Sequence, residues 1–562
     1  MALFKDVTRG GQIGFHFISM FRQINHKLKF PSLLLAVLIA GYLFYEMPRV
    51  YLYDTFNYSN AYLWENMPRM RKHIHPRVKY IDSYGKIKDV DALNVIRNWT
   101  TKHNMHKLKE YSIMVGYFSL GGVIGMYILA MILFKFLGGH QRKSKIVKGE
   151  ELVAVKQLVK QIKKDGKCSE LMLGELPIIK NSETNHFFVT GTTGSGKSNC
   201  IKSLIKQLRD KKQKMIIVDT SGEYVDFCYE EKYGDKILSP FDPRSETWNM
   251  WEEFYSKFDI DSLAETLFPN DRVDKFWSVA SQVLFKSVLN KIQKEKDRSY
   301  ERLFEILAIK DSKTLSELVE ETPAAPYFEK NNEKTLLSIR SSMIPNIQFL
   351  EHLQEIQEES FSIKNWIRDK DETGILFLLC SPKQRKTMAP LFTIWMDVAV
   401  NNIMELGQSQ DRRIWFVIDE LSSLKKLPAL STMLSEVRKY GGCGIIGTQS
   451  IYQITEIYGH NTARSILDLL NTKIFFRSTE PFTQEWIVKS LGEQEEDKSV
   501  ENYSYGANTM RDGVSLTKHT KVKQVILASE LKKLSSREGF VQLPSGYPIT
   551  KVTIPLTTSI KK

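Results

Sequence analysis

The longest apolar stretches of the chain lie near its N-terminus. The first runs from Phe30 to about Met47, and the second runs from Ile113 to Leu137 with a single charged residue near its end. About 20 apolar residues allow a helix to cross a bilayer, so both stretches are predicted to be transmembrane helices. A buried core helix is the alternative for each. A cleaved signal peptide is disfavoured, because Glu46-Met-Pro-Arg49 offers no small-residue cleavage site.

Basic residues flank this pair of stretches and predict its orientation. They precede the first stretch and follow the second: Arg22, Lys27, Lys29, Arg142, Lys143, Lys145 and Lys148. Positively charged flanks stay on the cytoplasmic side. We therefore expect both chain termini in the cytoplasm and an extracytoplasmic segment over about residues 48–112. Gly116, Gly121, Gly122 and Gly125 of the second stretch would allow close helix approach, and Gly121 and Gly125 have the four-residue spacing of a small-residue packing face.

Beyond residue 150, short apolar runs alternate with helical patterns, which is typical of a parallel α/β sheet. About residues 258–365 instead show helical periodicity with few strand signals. We predict a RecA-like α/β fold with an inserted all-α domain, behind an N-terminal two-helix transmembrane hairpin. The predicted strands are 186–190, 215–219, 374–380, 414–418, 444–448 and 472–477. The predicted domains are 1–150 (anchor, with spans at about 30–47 and 113–137), 151–257 and 366–562 (two parts of a nucleotide-binding domain), and 258–365 (insertion).

A phosphate-loop pattern follows the first of these strands and opens a helical pattern. Its residues are Gly191, Thr192, Thr193, Gly194, Ser195, Gly196, Lys197 and Ser198. Its glycines let backbone N–H groups form an anion nest, to which the helix N-terminus adds partial positive charge. We predict that Lys197 reaches the β- and γ-phosphates of ATP and that Ser198 ligates Mg²⁺. A glycine-rich turn that binds nothing explains neither the Lys-Ser pair nor the preceding strand.

Two further predicted strands end in polar residues suited to the same chemistry. The apolar run 414–418 ends in Asp419 and Glu420, and the run 444–448 ends in Gln449. Asp419 is placed to hold Mg²⁺ through water, Glu420 to orient the attacking water, and Gln449 to sense the γ-phosphate. The alternatives are an acidic helix N-terminus and an ordinary loop glutamine. Together these residues predict a P-loop ATPase and leave open what hydrolysis drives.

The net charge does not by itself predict a nucleic-acid partner. The chain carries a formal net charge of +14. Residues 1–150 hold 22 Lys and Arg against 9 Asp and Glu, a net charge of +13, which leaves a net charge of only +1 for the other residues. The excess therefore belongs to the membrane-proximal region. All five cysteines follow residue 150 with no pair at metal-ligand spacing, which is typical of reduced thiols in a cytosolic domain.

Several local stretches, together with this order of elements, resemble the TraD/TrwB family of type IV secretion coupling proteins. The resemblance covers nearly the whole chain, and the last of these stretches is foreign to generic ATPases. The stretches are Val218-Asp-Thr-Ser-Gly-Glu-Tyr224, Ile237-Leu-Ser-Pro-Phe-Asp-Pro-Arg244, Trp248-Asn-Met-Trp251, Phe361-Ser-Ile-Lys-Asn-Trp366 and Ser504-Tyr-Gly-Ala-Asn-Thr-Met-Arg-Asp-Gly-Val514.

The resemblance implies a hexameric motor at the inner membrane of a bacterial conjugation machine. Such a motor receives the relaxase-bound single strand of DNA and pumps it through a secretion channel with ATP. The all-α insertion would then face the cytosolic entrance of the ring. Larger members carry a further tail that docks the relaxosome, and because this sequence ends soon after its last predicted strand we do not expect docking through such a tail.

A ring of this kind completes each site with a residue from the neighbouring subunit. A guanidinium supplied in this way accelerates phosphoryl transfer by roughly three to five orders of magnitude. Arg477, at the end of the strand that begins at Lys473, is the preferred residue. Arg464 on the preceding helical pattern and Arg511 are the alternatives, and an exposed salt-bridge role remains open for Arg477.

Three other functions are compatible with parts of the sequence. A coupling ATPase that recruits protein effectors has the same residues, and only the family resemblance favours DNA. A chromosome pump of the FtsK kind usually has more membrane spans, a long linker and a winged helix, none of which we identify. A docking receptor with an inactive ATPase is disfavoured by the intact Lys197, Asp419 and Glu420.

Overall fold

The computed structural model describes residues 2–67, 76–141, 145–254, 256–269, 275–296, 298–328, 333–357, 360–424, 426–504 and 513–559, with the backbone alone for residues 2–20, 23, 137–141, 145, 498–504 and 513–519. Arg142, Lys143, Arg511 and most of the stretch 504–514 fall outside this description. The chain forms two compact units, residues 1–144 with 498–518 and residues 145–497 with 519–562.

The first unit contains two long helices and a small α/β module between them. Its elements are α1 (Ala2–Glu46), α2 (Arg49–Glu65), β1 (Arg77–Ile81), β2 (Ile87–Asp91), α3 (Ala92–Arg97) and α4 (Trp99–Gln141). Ile24–Glu46 and Trp99–Phe136 are long and apolar enough to cross a membrane, and few of their side chains are buried. Both predicted spans therefore lie on helices that extend well beyond them.

Helices α1 and α4 approach each other at Gly122, one of the four glycines expected to allow close helix approach. A Cβ atom on Gly122 would lie 2.5 Å from Ile39 Cδ1, whereas Gly121 and Gly125 have nothing within 4 Å. The close approach is therefore found at one of the expected glycines, and not at the pair with the four-residue spacing. The four-residue spacing identifies a face of a helix, but it does not identify which of several glycines turns toward the partner.

The module between the two long helices is held together by a buried carboxylate. Asp54 Oδ1 accepts from Tyr80 Oη (3.2 Å), and Asp54 Oδ2 accepts from Asn104 Nδ2 (2.6 Å). Asn57 on the same helix exchanges two hydrogen bonds with the backbone of Ile81 (2.7 and 3.0 Å). Burial raises the pKa of Tyr80, and the neighbouring Asp54 raises it further. These bonds fasten the β1–β2 hairpin to α2 and α4, so this segment is a folded module.

The strands of the second unit include all six that the sequence predicts, with ends within two residues of the expected positions. They are β3 (Lys145–Gly149), β4 (Leu152–Val153), β5 (Cys168–Leu173), β6 (Leu176–Ile179), β7 (Phe187–Thr190), β8 (Lys214–Asp219), β9 (Lys236–Leu238), β10 (Ile375–Leu379), β11 (Ile414–Ile418), β12 (Gly442–Thr448), β13 (Thr472–Phe475), β14 (Glu493–Ser504), β15 (Gly513–Gln524), β16 (Glu538–Gln542) and β17 (Ile549–Thr553).

One ten-stranded sheet organises this unit, in the order β4-β17-β16-β13-β7-β12-β11-β8-β10-β9. From β13 to β9 every pairing is parallel. The central strands are buried on both faces, as their continuous apolar runs predict. Since β7, β12 and β11 are neighbours, the polar residues that follow them meet at one edge of the sheet.

Helices cover the sheet and form the insertion. They are α5 (Val155–Lys164), α6 (Lys197–Asp210), α7 (Glu223–Cys228), α8 (Lys257–Leu267), α9 (Lys275–Ile292), α10 (Tyr300–Phe304), α11 (Ser312–Val319), α12 (Glu333–Ile347), α13 (Ile363–Arg368), α14 (Arg385–Glu405), α15 (Ala429–Ser435), α16 (Ile451–Tyr458), α17 (His460–Leu469), α18 (Pro481–Leu491) and α19 (Ala528–Lys532). Helices α8 to α12 separate β9 from β10 and share one hydrophobic core with α14.

The two ends of the insertion are joined by the buried carboxylate of Glu253. Its Oε1 accepts from Trp248 Nε1 (2.9 Å) and Ile363 N (2.7 Å), and its Oε2 accepts from Lys364 N (3.0 Å) and Ser362 Oγ (3.3 Å). The segment that leads into the insertion thus caps the first turn of α13, the helix with which the chain leaves the insertion. Burial outweighs these bonds and raises the pKa of Glu253 to about 7.

Removing this carboxylate tests its role. In Glu253→Ala, buried donors lose their acceptor, so below the unfolded pKa of Glu253 we expect a loss of about 2–4 kcal/mol in unfolding free energy, and this loss should shrink as pH rises through about 7. The folded-state pKa of Glu253 is raised above the unfolded value. The contribution of this carboxyl group to the free energy of unfolding is therefore fully present below the unfolded pKa and is lost as pH rises through about 7. Glu253→Gln should therefore gain stability relative to wild type between pH 5 and 8. The thermal midpoint of full-length protein in detergent, followed by tryptophan fluorescence, measures both effects; parallel pH curves would contradict the second.

Candidate nucleotide site

The phosphate loop has the backbone that an anion nest requires. It joins β7 to α6, and Gly194 and Gly196 adopt positive φ angles of 72° and 112°. A Cβ atom on Gly191 would lie 2.5 Å from Ser195 Oγ and 2.7 Å from Phe476 Cβ, so only glycine fits there. The loop is anchored to the segment that follows β13, the sheet neighbour of β7, because Thr192 N donates to the carbonyl oxygen of Arg477 (2.9 Å).

Lys197 and Ser198 lie against the acidic end of β11. Lys197 Nζ donates to Asp419 Oδ1 (2.6 Å) and to the Asp419 carbonyl (2.7 Å), and it lies 3.4 Å from Glu420 Oε2. Ser198 Oγ donates to Asp419 Oδ2 (3.0 Å). The nearly buried ammonium is thus compensated by two carboxylates, as a charge removed from water requires.

Gln449 connects the phosphate loop to Glu420. Its backbone N donates to Glu420 Oε1 (3.4 Å), and its side-chain Oε1 accepts from Thr193 Oγ1 (3.2 Å). The hydroxyl of Ser422 also donates to Glu420 Oε1. The three strand ends therefore bring Lys197, Asp419, Glu420 and Gln449 together around one cavity of about 600 Å³. Such a volume is that of a small-molecule site.

The oxygen ligands in this cavity fit a magnesium ion bound to a triphosphate. Mg²⁺ prefers one or two protein oxygen ligands together with phosphate oxygens and waters. The Ser198 hydroxyl and the Asp419 carboxylate lie side by side there, and no cluster of three or more His, Cys, Asp or Glu forms a metal cage within the described residues. Tyr224 is fully buried beside this pair, and burial together with the charge of Asp419 raises the pKa of its hydroxyl well above the usual value.

The arginines proposed for a neighbouring site lie in different surroundings. Arg477 is half-buried, contacts its own phosphate loop through its carbonyl oxygen, and does not line the cavity. Arg464 is exposed on α17 and lies 4.0 Å from Asp468. Arg511 falls outside the described residues. The role of Arg477 stays a prediction.

Other residues of the cavity escaped the sequence analysis. Arg385, at the first turn of α14, donates through Nη2 to the Thr220 carbonyl (3.0 Å), and its Nε is buried without a hydrogen bond. Ser536, Arg537 and Leu556 reach the cavity from the C-terminal part of the chain. No local pattern marks these residues, because each comes from a separate segment that only the folded sheet brings to the loop.

The first residue of the Asp-x-x-Gly-Glu stretch at the end of β8, Asp219, has a structural role. Asp219 Oδ1 accepts from the backbone N of Ser221 (3.1 Å) and Gly222 (2.8 Å), while Oδ2 accepts from those of Tyr224 (2.8 Å) and Val225 (2.9 Å). These bonds cap the N-terminus of α7 and use both carboxylate oxygens. Glu223 remains on the cavity wall, where its Oε1 accepts from Lys202 Nζ (2.6 Å).

Comparison with known proteins identifies the family. Residues 170–555 match the model for the type IV secretion-system coupling protein DNA-binding domain. The coupling protein TraD of Escherichia coli is 32% identical over 99% of this chain and 78% of its own length. The plasmid coupling protein TrwB, solved with ADP and Mg²⁺, superposes with a TM-score of 0.66 at 25% identity, over 75% of this chain and 96% of TrwB.

A more distant relative matches only a short part of the chain. Protein VirD4 of Agrobacterium fabrum is 25% identical over 21% of this chain and 18% of its own length. The TrwB superposition confirms the predicted RecA-like P-loop ATPase fold with its all-α insertion. Since the family model matches well over half of the chain and the TraD alignment spans nearly all of it, the chain belongs to the type IV secretion-system coupling proteins.

Proposed function

We propose that this protein is the ATP-driven motor that moves single-stranded DNA into a type IV secretion channel during conjugation. As a conjugative coupling protein it is a P-loop ATPase that links DNA transfer to the secretion system, and its cofactors are ATP and Mg²⁺. The observation that carries the proposal is the meeting of Lys197, Ser198, Asp419 and Glu420 at one cavity. This cavity belongs to a chain whose family model describes a DNA-binding domain.

Each residue of the cavity has a proposed task. The loop from Gly191 to Ser198 holds the phosphates, with Lys197 on the β- and γ-phosphates and Ser198 and Asp419 on the metal. Glu420 accepts a proton from, and orients, the attacking water, while Gln449 senses the γ-phosphate from its position between Thr193 and Glu420. Mg²⁺ supplies charge neutralisation of the phosphates when bound.

The proposed assembly is a homo-hexamer in the bacterial inner membrane. Its anchor is residues 1–150, its nucleotide-binding domain is 151–257 with 366–562, and its all-α insertion is 258–365. Basic flanks support cytoplasmic N- and C-termini with the α/β module outside. Arg477 completes the site of the neighbouring subunit, and the relaxase with its DNA and the channel components are the partners.

Removal of the loop ammonium tests the site. Lys197→Ala should abolish ATP hydrolysis and DNA transfer together, because the ammonium that contacts the phosphates is lost while the fold of the membrane unit is untouched. The measurement is ATP turnover of purified full-length protein together with mating efficiency. Membrane insertion of the variant is the control, and near wild-type turnover would show that the site is wrongly assigned.

The two adjacent carboxylates should fail in different ways. Glu420→Gln keeps the size and hydrogen bonding of the side chain, so ATP should still bind while hydrolysis falls by orders of magnitude. Asp419→Asn should instead weaken binding that depends on Mg²⁺. Titration of a fluorescent ATP analogue with and without Mg²⁺ separates the two. An equal loss of binding in both variants would refute this division of labour.

DNA binding should depend on assembly. Residues beyond 150 carry a net charge of only +1, so a monomeric fragment should bind single-stranded DNA weakly. A ring concentrates inward-facing Lys and Arg in one channel, so the affinity of the assembled full-length protein should be higher and fall steeply with salt through counterion release.

The comparison is made between full-length protein in nanodiscs and the fragment, across a salt series, with DNA-stimulated ATPase as a second readout. Equal affinity of monomer and ring, or an assembled ATPase indifferent to DNA, would remove the support for translocation. Recruitment of protein effectors would then be the better function.

A further inference from the structure

Helix α5 carries a set of lysines that no predicted role explains. Three of them recur at intervals of four and three residues, so they lie on one side of the helix. A fourth lies at the last position of the helix, and a fifth lies in the turn that follows it. All five side chains are exposed. We call this set the lysine face: Lys156, Lys160, Lys163, Lys164 and Lys167.

The opposite side of α5 fixes the helix to the second unit. Leu158 and Ile162 are fully buried, and Val155 and Val159 pack against the same hydrophobic core. This core includes side chains of β6 and β17, the two strands that α5 contacts most. The apolar side of the helix is thus already occupied by the chain itself. The lysine face is therefore held on a rigid element and points away from the core.

The charge of the lysine face is not neutralised within the described residues, where none of its five side chains forms an ion pair. Asp165 is the single acidic residue between positions 155 and 167, and its Oδ2 accepts from Tyr547 Oη (2.9 Å). The basic run on α9 differs, because Lys286 and Lys291 each pair with a carboxylate (2.9 and 4.0 Å). The lysine face is therefore a concentrated positive surface, although the chain beyond residue 150 has a net charge of only +1.

The position of α5 in the sequence indicates what this surface binds. Helix α4, which is long and apolar enough to cross a membrane, ends at Gln141, and α5 begins at Val155. Lysine clusters that closely follow a membrane span, or that lie on an amphipathic helix, bind anionic lipid headgroups, and each lysine raises the affinity roughly 5-fold. Leu152, just before α5, is 43% exposed. An apolar side chain beside basic residues is typical of a surface that lies on a bilayer.

We propose that the lysine face binds the anionic phospholipid headgroups of the membrane that α1 and α4 cross, with Leu152 against the headgroup region. The nucleotide-binding domain then has a second, reversible attachment to the bilayer besides its two helices. The phosphates of DNA would meet the same charges, but the exposed apolar side chain and the short segment between span and helix favour lipid. The attachment goes beyond the proposed ATPase function, because none of its residues lines the nucleotide cavity.

Cys168 provides the probe for this contact, because it directly follows the lysine face and is exposed, whereas the other four cysteines are buried. Full-length protein labelled there with a maleimide fluorophore is reconstituted in nanodiscs whose headgroups carry a contact quencher. Quenching should be several-fold stronger with phosphatidylglycerol than with phosphatidylcholine alone, and it should fall as salt screens the headgroup charge. Nanodiscs expose both faces of the bilayer, so the result does not depend on the proposed orientation of the chain.

Neutralising three lysines of the face should remove the lipid dependence. In the triple variant Lys156→Gln, Lys160→Gln and Lys163→Gln, the equilibrium constant for contact with phosphatidylglycerol should fall by roughly 100-fold, the product of three lysine contributions. Quenching should then match that in phosphatidylcholine. The thermal midpoint and ATP turnover in detergent should be unchanged, because the three side chains are exposed and do not line the nucleotide cavity.

A second triple variant is the matched control. Lys313→Gln, Lys334→Gln and Lys370→Gln remove the same charge from lysines that are also exposed and lie outside α5. This variant should keep the wild-type quenching in phosphatidylglycerol, because the proposed contact depends on the position of the charges and not on their sum.

Three outcomes would overturn the proposal. Equal quenching of the wild type in phosphatidylcholine and phosphatidylglycerol would show that the lysine face is only solvated. An equal loss of quenching in the two triple variants would reduce the effect to net charge. Quenching that ignores the lipid, together with a lower affinity of the α5 variant for single-stranded DNA in the same nanodiscs, would make the face a DNA-binding surface. Because quenching is read without ATP, a failure of the proposed ATPase site would leave all three measurements unchanged.

Discussion

The site depends on compensating one nearly buried ammonium. Lys197 is 7% exposed, and its charge is balanced by Asp419 and Glu420, which are more than 220 residues away in sequence. Only the strand order β7-β12-β11 brings these groups within contact distance, with Gln449 between them at the end of β12. The chemistry of the cavity therefore depends on the sheet topology. A charge taken out of water is tolerated only beside its partners, and the strand order is what places those partners beside Lys197.

Three carboxylates at this edge show how their surroundings separate their roles. Asp219 is saturated by backbone donors at the start of α7 and has no oxygen left for a ligand. Asp419 is shared between Lys197 and Ser198, which is the environment of a metal-side carboxylate. Glu420 is held by Ser422 and by Gln449 N, and it lies farther from the ammonium. The same functional group, a carboxylate, thus has one structural and two chemical environments within one cavity.

The sequence predicted what is encoded locally and missed what is assembled from distant segments. The phosphate loop and the six strands follow from contiguous patterns, and the predicted strand ends lie within two residues of those observed. The helical character of the insertion also follows from a contiguous pattern. Glu253, Arg385 and Arg537 have no such pattern, because their partners lie more than 100 residues away or in another strand's loop. Of the four glycines expected to allow close helix approach, the sequence could not single out Gly122 for a related reason: helix rotation is set by packing against the neighbouring helix.

The insertion is continuous with the cavity through one helix. Arg385, at the first turn of α14, lines the cavity, and Trp395 farther along the same helix packs edge-on against Trp248 at 5.9 Å between ring centroids. Trp248 in turn donates to Glu253, the carboxylate that joins the two ends of the insertion. A dense core transmits displacement because it has few voids in which to absorb it. A shift of α14 would therefore act on the base of the insertion, and not on its distal helices first. This packing joins the all-α region to one wall of the cavity, although no described residue of 258–365 lines the cavity itself.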